Sequence, residues 1–241
     1  MTILARAREG LATVDVPETV RDAASRNLGL WWNGPQFAAY REPITALVES
    51  GRFEELVDAF RQILPFGTGG RRGFVGVGPN RMNPFTVATS VEGHARWLRS
   101  TFPQVSTLRV VVAYDVRRFV DVRGVYGGRA GALAGLSSRD FAELAARVYA
   151  RNGIEVHLLP RGAAYLLSTP ELSFTIRALG AHGGLNLSAS HNPPDDNGVK
   201  VYDVRGGQLA PPEDQVLLDV VSSVEDAVVP TWEEAVATAS M

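Results

Sequence analysis

From the amino terminus to about residue 65, apolar positions recur at helical spacing. Pro43-Ile44-Thr45-Ala46-Leu47-Val48-Glu49-Ser50 and Phe53-Glu54-Glu55-Leu56-Val57-Asp58-Ala59-Phe60-Arg61 predict two short helices separated by Gly51, each with one face shaped for packing. Trp31 and Trp32 supply bulk for that contact. From Thr107 the pattern changes to strand alternating with helix. Leu108 to Ala113 is a β-branched run suited to a buried parallel strand. Ser137-Ser138-Arg139-Asp140 offers caps to a helix whose apolar face is Phe141, Leu144, Ala145, Val148 and Tyr149, and Gly153 sits where it stops. Ile154 to Leu159 reads as the next strand. Thr169-Pro170-Glu171 opens another helix with Thr169 as its cap and proline at the first helical position. Leu185 to Ala189 forms a third strand running into Ser190. Gly124 to Gly131 reads as a loop, Val199 to Asp203 with Gly206-Gly207 as a small hairpin, and the tail beyond Pro211-Pro212 as helical. Strands and helices alternating through short links predict an α/β fold with a right-handed parallel sheet covered on both faces. Ligands of such sheets bind beyond the carboxyl ends of strands, where Ser190 falls.

Composition narrows the function classes. A chain of 241 residues, 45% hydrophobic and 21% charged, is long enough to bury a real core as one large domain with appendages. The net charge of −2 and the lack of a basic run argue against broad nucleic-acid binding. With no cysteine there is neither a disulfide nor a thiolate metal site. No apolar run approaches the ~18 residues that span a bilayer, and Met1 to Val14 lacks the pattern of a signal peptide. The expectation is a cytoplasmic protein with neither nucleic acid nor membrane as partner.

Two loops carry candidate chemistry. In Leu187-Ser188-Ala189-Ser190-His191-Asn192-Pro193-Pro194, the prolines restrict the backbone beside a serine and a histidine. A held, exposed hydroxyl in that setting suits a phosphoryl or acyl acceptor. Asn197-Gly198-Val199-Lys200 follows, and Lys200 is the only lysine among 24 lysine and arginine residues. Lysine can be tuned toward neutrality where arginine cannot, so a lone lysine here suggests proton transfer, with chance retention as the alternative. In the second loop, Phe66-Gly67-Thr68-Gly69-Gly70-Arg71-Arg72-Gly73, small residues let the backbone approach an anion and two arginines add forked donors; a plain surface turn is the competing reading. His94, His157 and His182 lack metal-ligand spacing, and Asp195 and Asp196 read as turn formers.

Together these motifs resemble the α-D-phosphohexomutase family, in its phosphopentomutase and type-2 phosphoglucomutase branch. Ser190-His191-Asn192-Pro193 with Asn197-Gly198-Val199-Lys200-Val201-Tyr202 is similar to the family's phosphoserine loop. Phe66 to Gly73 with Arg81-Met82-Asn83 is similar to its first conserved loop, and Ser138-Arg139-Asp140-Phe141-Ala142 and Thr169-Pro170-Glu171-Leu172-Ser173-Phe174 also match. The resemblance implies a three-layer α/β/α domain with a mainly parallel sheet and a helical amino-terminal extension. It divides the chain into that extension (1–65), a phosphoserine-bearing domain I (66–212) and the start of a linker or truncated second domain (213–241). It implies catalytic roles for Ser190, His191, Lys200 and Arg72, and substrate or phosphate binding by Thr68, Gly69, Arg71, Arg72 and Asn192. Ser190 would carry the phosphoryl group and, through it, one ligand of Mg²⁺; a sugar 1,6-bisphosphate would be the activator and a sugar phosphate the substrate. Ser188 stands where the family commonly has threonine and reads as structural; Tyr114-Asp115-Val116-Arg117 reads as support for the wall of the site.

The resemblance also marks what these residues lack. The family's Asp-Gly-Asp-x-Asp-Arg metal loop, its Gly-Glu-x-Ser-Gly sugar loop and its carboxyl-terminal phosphate loop do not occur in the 241 residues. Turnover by these residues alone is expected to be negligible, since positioning accounts for ~7–11 kcal/mol of such barriers. The expected function is therefore the amino-terminal domain of a phosphosugar mutase, an intramolecular phosphotransferase completed by further domains or by a second chain. The alternative is a stand-alone, non-catalytic sugar-phosphate-binding or regulatory module. Which sugar is used is not legible.

Overall fold

The computed structural model describes residues 1–67 and 69–239. Four helices open the chain: α1 (Ile3–Ala12), α2 (Glu18–Asn33), α3 (Arg41–Glu49) and α4 (Phe53–Phe60). Gly51 takes a φ of 69° and lets the chain reverse between α3 and α4, as its sequence setting required. Trp31 is the hub of this region. It stacks on Phe37 at 4.3 Å and meets Phe60 and Phe85 edge-on at 5.8 and 5.6 Å. Phe85 belongs to α5 (Pro84–Thr101), so one aromatic cluster ties the helical extension to the α/β part. Trp32 is only partly buried at the edge of the core.

The remaining elements are β1 (Gly70–Phe74), β2 (Arg109–Tyr114), α6 (Ser138–Arg151), β3 (Glu155–Leu158), α7 (Thr169–Ala178), β4 (Gly183–Leu187), β5 (Asp196–Tyr202), α8 (Glu213–Ser222) and α9 (Trp232–Ala239). The sheet order is β1-β5-β4-β2-β3. β2 runs parallel to β3 and β4, whereas β5 is antiparallel to both its neighbours, β1 and β4. One reversed strand thus interrupts an otherwise parallel sheet, and the α/β/α architecture is as expected.

Strand alternation sorts the side chains onto two faces. Val110, Val112, Leu185, Leu187, Val199 and Val201 join the main core under α5 and α6. Val111, Ala113 and Tyr202 face the other way and are covered by Leu172 and Ile176 of α7. Arg72, on this second face at the β1 edge, stays exposed.

Several elements differ from expectation, each for a physical reason. Phe66 to Gly73 is not all loop, because Gly70–Phe74 pairs with β5. Glycine is required there: a Cβ at Gly70 would collide with the Val199 carbonyl. The 18-residue helix α5 has no clear sequence signal because Thr86, Thr89, Ser90 and Gly93 blur its apolar stripe, yet all four are buried. The N-cap of α7 is Ser168 rather than Thr169, with Glu171 closing the capping box. β4 ends at Leu187; the Ser188 N–H still donates to the Gly198 carbonyl of β5 at 3.0 Å, and the turn is reached at Ser190. The tail helices pack onto the domain: Gly93 of α5 lies against Val221 of α8, and Arg147 of α6 donates to the Pro230 carbonyl at 2.9 Å. One apolar core runs from Ala7 to Val221 through all three anticipated segments. Among the described residues, no helix is long and apolar enough to cross a membrane.

Candidate active site

Beyond β4 the chain turns sharply through Ser190, which adopts a left-handed φ of 57°. For a residue with a side chain this costs about 1–3 kcal/mol and persists only where the surroundings enforce it. Those surroundings are specific. The Ser190 N–H donates to Ser188 Oγ at 3.1 Å, and the Asn192 and Asp196 N–H groups close onto the carbonyls of Ala189 and Pro193 at 3.1 and 3.0 Å. Beneath the turn lies Arg117. Its Nη2 donates to the carbonyls of Ser190 (2.6 Å) and Asn192 (2.9 Å), and its Nη1 to those of Pro193 (2.5 Å) and Asp196 (3.2 Å). Arg117 Nε is fixed in turn by Asp115 Oδ2 at 3.0 Å. The other Asp115 oxygen accepts from Ser138 Oγ at the start of α6 (2.6 Å), and Ser138 Oγ accepts from Asn197 Nδ2 (2.9 Å).

The Ser190 hydroxyl is exposed and has no hydrogen bond among the described residues. It borders a cavity of about 600 Å³ together with Gly67, Gly70, Arg72, Lys200 and Gln208. β-sheet register places these residues: Lys200 is opposite Gly70 on one side and Asn186 on the other, on the same face of the sheet as Arg72. Among the described residues, neither Arg72 nor Lys200 has a carboxylate partner or a side-chain hydrogen bond. Burial holds the Lys200 ammonium below the ordinary lysine range; Arg72 and, less strongly, Arg117 push the same way against Asp115. Two uncompensated cations beside a free hydroxyl form a seat for a doubly charged phosphoryl group.

The other anticipated residues lie in varied positions. Arg71 borders the same cavity, but strand alternation sends its guanidinium to the opposite face, where it is 3% exposed. There Nη1 donates to the Thr86 carbonyl, Thr89 Oγ1 and Ser90 Oγ at 3.2, 3.3 and 3.2 Å, and burial draws its pKa down to about 10. Its side chain braces α5 against the sheet and does not reach toward Ser190. Gly69 sits at a φ of 63° in a turn closed by Gly67 and Gly70, and its carbonyl accepts from the Val201 N–H at 2.8 Å. Thr68 lies outside the described residues. Asn192 spends an amide hydrogen on Asp196 Oδ2 at 2.8 Å. His191 is exposed, and neither its ring nor its N–H has a partner among the described residues. Asp195 is more than a turn former: its buried carboxylate accepts the N–H groups of Val120 and Val122 at 3.1 and 2.6 Å, stitching the segment after β2 to the serine turn. An Asp-x-Arg pair directly after a strand was the signal that pointed toward Arg117, though not to its four carbonyl partners.

No group of three or more His, Cys, Asp or Glu side chains among the described residues could hold a metal ion. The charged groups beside Ser190 in its cavity are cationic, so these residues do not by themselves fit a divalent cation.

Residues 135–227, which include the Ser190 turn and Lys200, match the model for phosphoglucomutase/phosphomannomutase, alpha/beta/alpha domain I. A phosphopentomutase from Mus musculus is 31% identical over 210 residues, covering 87% of this chain and 31% of the relative. A phosphoglucomutase from Staphylococcus saprophyticus is 35% identical over 172 residues, covering 71% of this chain and 27% of the relative. The chain belongs to the α-D-phosphohexomutase family. A Thermus thermophilus structure, assigned as a phosphomannomutase, superposes with a TM-score of 0.53 at 30% identity over 70% of this chain and 31% of its own. The chain spans about a third of the length of the curated relatives it matches. What it carries is a phosphomutase-type domain I, with Ser190 in the turn beyond the carboxyl end of β4.

Proposed function

We propose that this chain supplies the phosphoryl-carrying domain of a phosphosugar mutase, with Ser190 as the carrier. The observation that supports this reading best is the left-handed Ser190, held by its backbone while its hydroxyl, without a partner among the described residues, shares a cavity with Arg72 and Lys200. In the proposed charging step, Ser190 Oγ attacks a phosphorus of a sugar 1,6-bisphosphate and the bond from phosphorus to the sugar oxygen breaks. The seryl proton passes to neutral Lys200, and the sugar oxygen leaves as a hydroxyl after taking up a proton from solvent. The reverse sequence returns the phosphoryl group to a different hydroxyl of a sugar monophosphate. Arg72 offsets charge on the transferring group, and His191, the next residue in the turn, is assigned a contact with it once the phosphoryl group is bound. Mg²⁺ belongs to this proposal only with oxygen ligands from outside the described residues. Isomerisation of a pentose or hexose phosphate is proposed for the protein that brings the sugar-contacting parts to this domain.

The test is incubation of the chain with glucose 1,6-bisphosphate, followed by intact mass and phosphopeptide mapping. One phosphoryl group on Ser190 is the expected result. Saturable binding of the bisphosphate with no covalent transfer would instead make this a non-catalytic sugar-phosphate module.

A further inference from the structure

Arg117 makes more contacts with the serine turn than any side chain of the turn itself. Its two terminal nitrogens gather the carbonyls of Ser190, Asn192, Pro193 and Asp196, and its side chain is only 12% exposed. Carbonyls drawn together on one cation leave the opposite, N–H side of a turn pointing elsewhere. Of those N–H groups, Ser190, Asn192 and Asp196 are internally bonded, while that of His191, adjacent to Ser190, has no partner among the described residues.

We propose that Arg117 is the positioning residue of this site: by clamping four carbonyls it enforces the left-handed Ser190 and leaves the His191 N–H free to donate to the phosphoryl group on Ser190. The inference rests on the reading of Ser190 as the phosphoryl carrier. Three features assign the task to Arg117 rather than to a general basic residue. A planar fork with two terminal nitrogens reaches four acceptors at once, which an ammonium with three donors cannot do. Asp115 fixes the guanidinium through Nε, so the fork does not rotate. Ser138 and Asn197 in turn fix Asp115, tying the clamp to the start of α6 and to β5. Arg117 touches the backbone of Ser190 and not its hydroxyl, so it acts through the turn.

The experiment compares the wild-type chain with Arg117→Ala and Arg117→Lys, the second guarding against a variant that fails to fold. Hydrogen exchange is read first. The amides of Asn192 and Asp196 are expected to exchange more than tenfold faster in both variants, while those of β2 and β4 keep wild-type rates. Phosphoryl uptake from glucose 1,6-bisphosphate is read second. The limiting rate is expected to fall roughly 100-fold, the scale of a 1 Å misplacement, with the half-saturating concentration nearly unchanged. Sub-denaturing guanidinium, but not sodium chloride, is expected to restore uptake to Arg117→Ala. Wild-type exchange at Asn192 and Asp196 in Arg117→Ala would overturn the clamp, as would a wild-type limiting rate. Should the wild-type chain take up no phosphoryl group, the carrier assignment falls, and exchange still decides whether Arg117 holds the turn.

Discussion

The Ser188 hydroxyl lies 3.1 Å from the Ser190 N–H and accepts its hydrogen bond, while the hydroxyl of Ser190 has no partner among the described residues. Two serines two residues apart are therefore chemically distinct. Ser188 is 8% exposed and its oxygen is committed to the turn; Ser190 presents its oxygen to the cavity. The expected outcome is that Ser190→Ala abolishes phosphoryl uptake, whereas Ser188→Ala keeps it and loses about 1 kcal/mol of stability with the missing hydrogen bond. Phosphopeptide mapping checks this. Phosphate found on Ser188 would overturn the assignment.

Adjacent arginines on β1 make a second contrast. Arg71 braces α5 through three acceptors on the buried face, and Arg72, on the exposed one, has no partner among the described residues. Arg71→Met is expected to destabilise the fold by about 1–3 kcal/mol, the range for buried acceptors left without a donor, while the folded protein still charges Ser190. Arg72→Met should leave the denaturant midpoint in place and slow charging at least tenfold. Urea unfolding and uptake kinetics on both variants decide the matter; matched behaviour of the two would mean that the faces are not functionally separate.

These two arginines also show what a sequence can and cannot disclose. The pair Arg71-Arg72 reads as a double anion-binding fork because spacing alone cannot say that residues 70–74 form a strand. Once β1 is paired with β5, alternation forces the two guanidiniums apart. The Ser190 turn was legible because proline, histidine and asparagine restrict it locally; Tyr114-Asp115-Val116-Arg117 read only as support for the wall of the site, and the hold of Arg117 on a turn more than 70 residues away follows only from the fold. β2, β3 and the capping box of α6 were readable from local pattern. Helix α5 was not, since it is buried nearly all round and its hydroxyl residues answer to Arg71 and to its own backbone.

Lys200 sets a pH dependence whose sign follows from its surroundings. Burial and the repulsion of Arg72 lower its pKa, so the neutral amine forms at a lower pH than for an ordinary lysine. If neutral Lys200 takes the Ser190 proton, the charging rate of the unphosphorylated chain rises with pH to a plateau whose midpoint lies below the usual value of about 10.4. Lys200→Arg keeps the charge and removes the titrating base. Its uptake is expected to be slow and to lack that rising limb. Rapid charging by Lys200→Arg, with an unchanged pH profile, would remove the proton-transfer role.

His94 supplies a pH dependence of stability that is separate from the site. It is fully buried on α5, its Nδ1 lies 2.6 Å from the Tyr149 hydroxyl of α6, and its Nε2 has no partner among the described residues. Burial pushes its pKa down to about 3, so the folded protein holds it neutral while the unfolded chain protonates near 6.5. The folded value is the depressed one: the stabilisation is complete above pH 6.5 and is lost as the pH falls from 6.5 toward 3. On that basis roughly 2 kcal/mol is lost between pH 7 and pH 5 through His94 alone. His182 is shifted in the same direction by partial burial, so the measurement must isolate one residue. His94→Gln keeps a polar side chain that can bond the Tyr149 hydroxyl and does not titrate. Chemical unfolding at pH 7, 6 and 5 should therefore show the variant losing about 2 kcal/mol less than wild type over that interval, whatever its stability at pH 7. Parallel profiles for the two proteins would show that His94 is protonated in the folded state, and that the contact between α5 and α6 tolerates a buried charge.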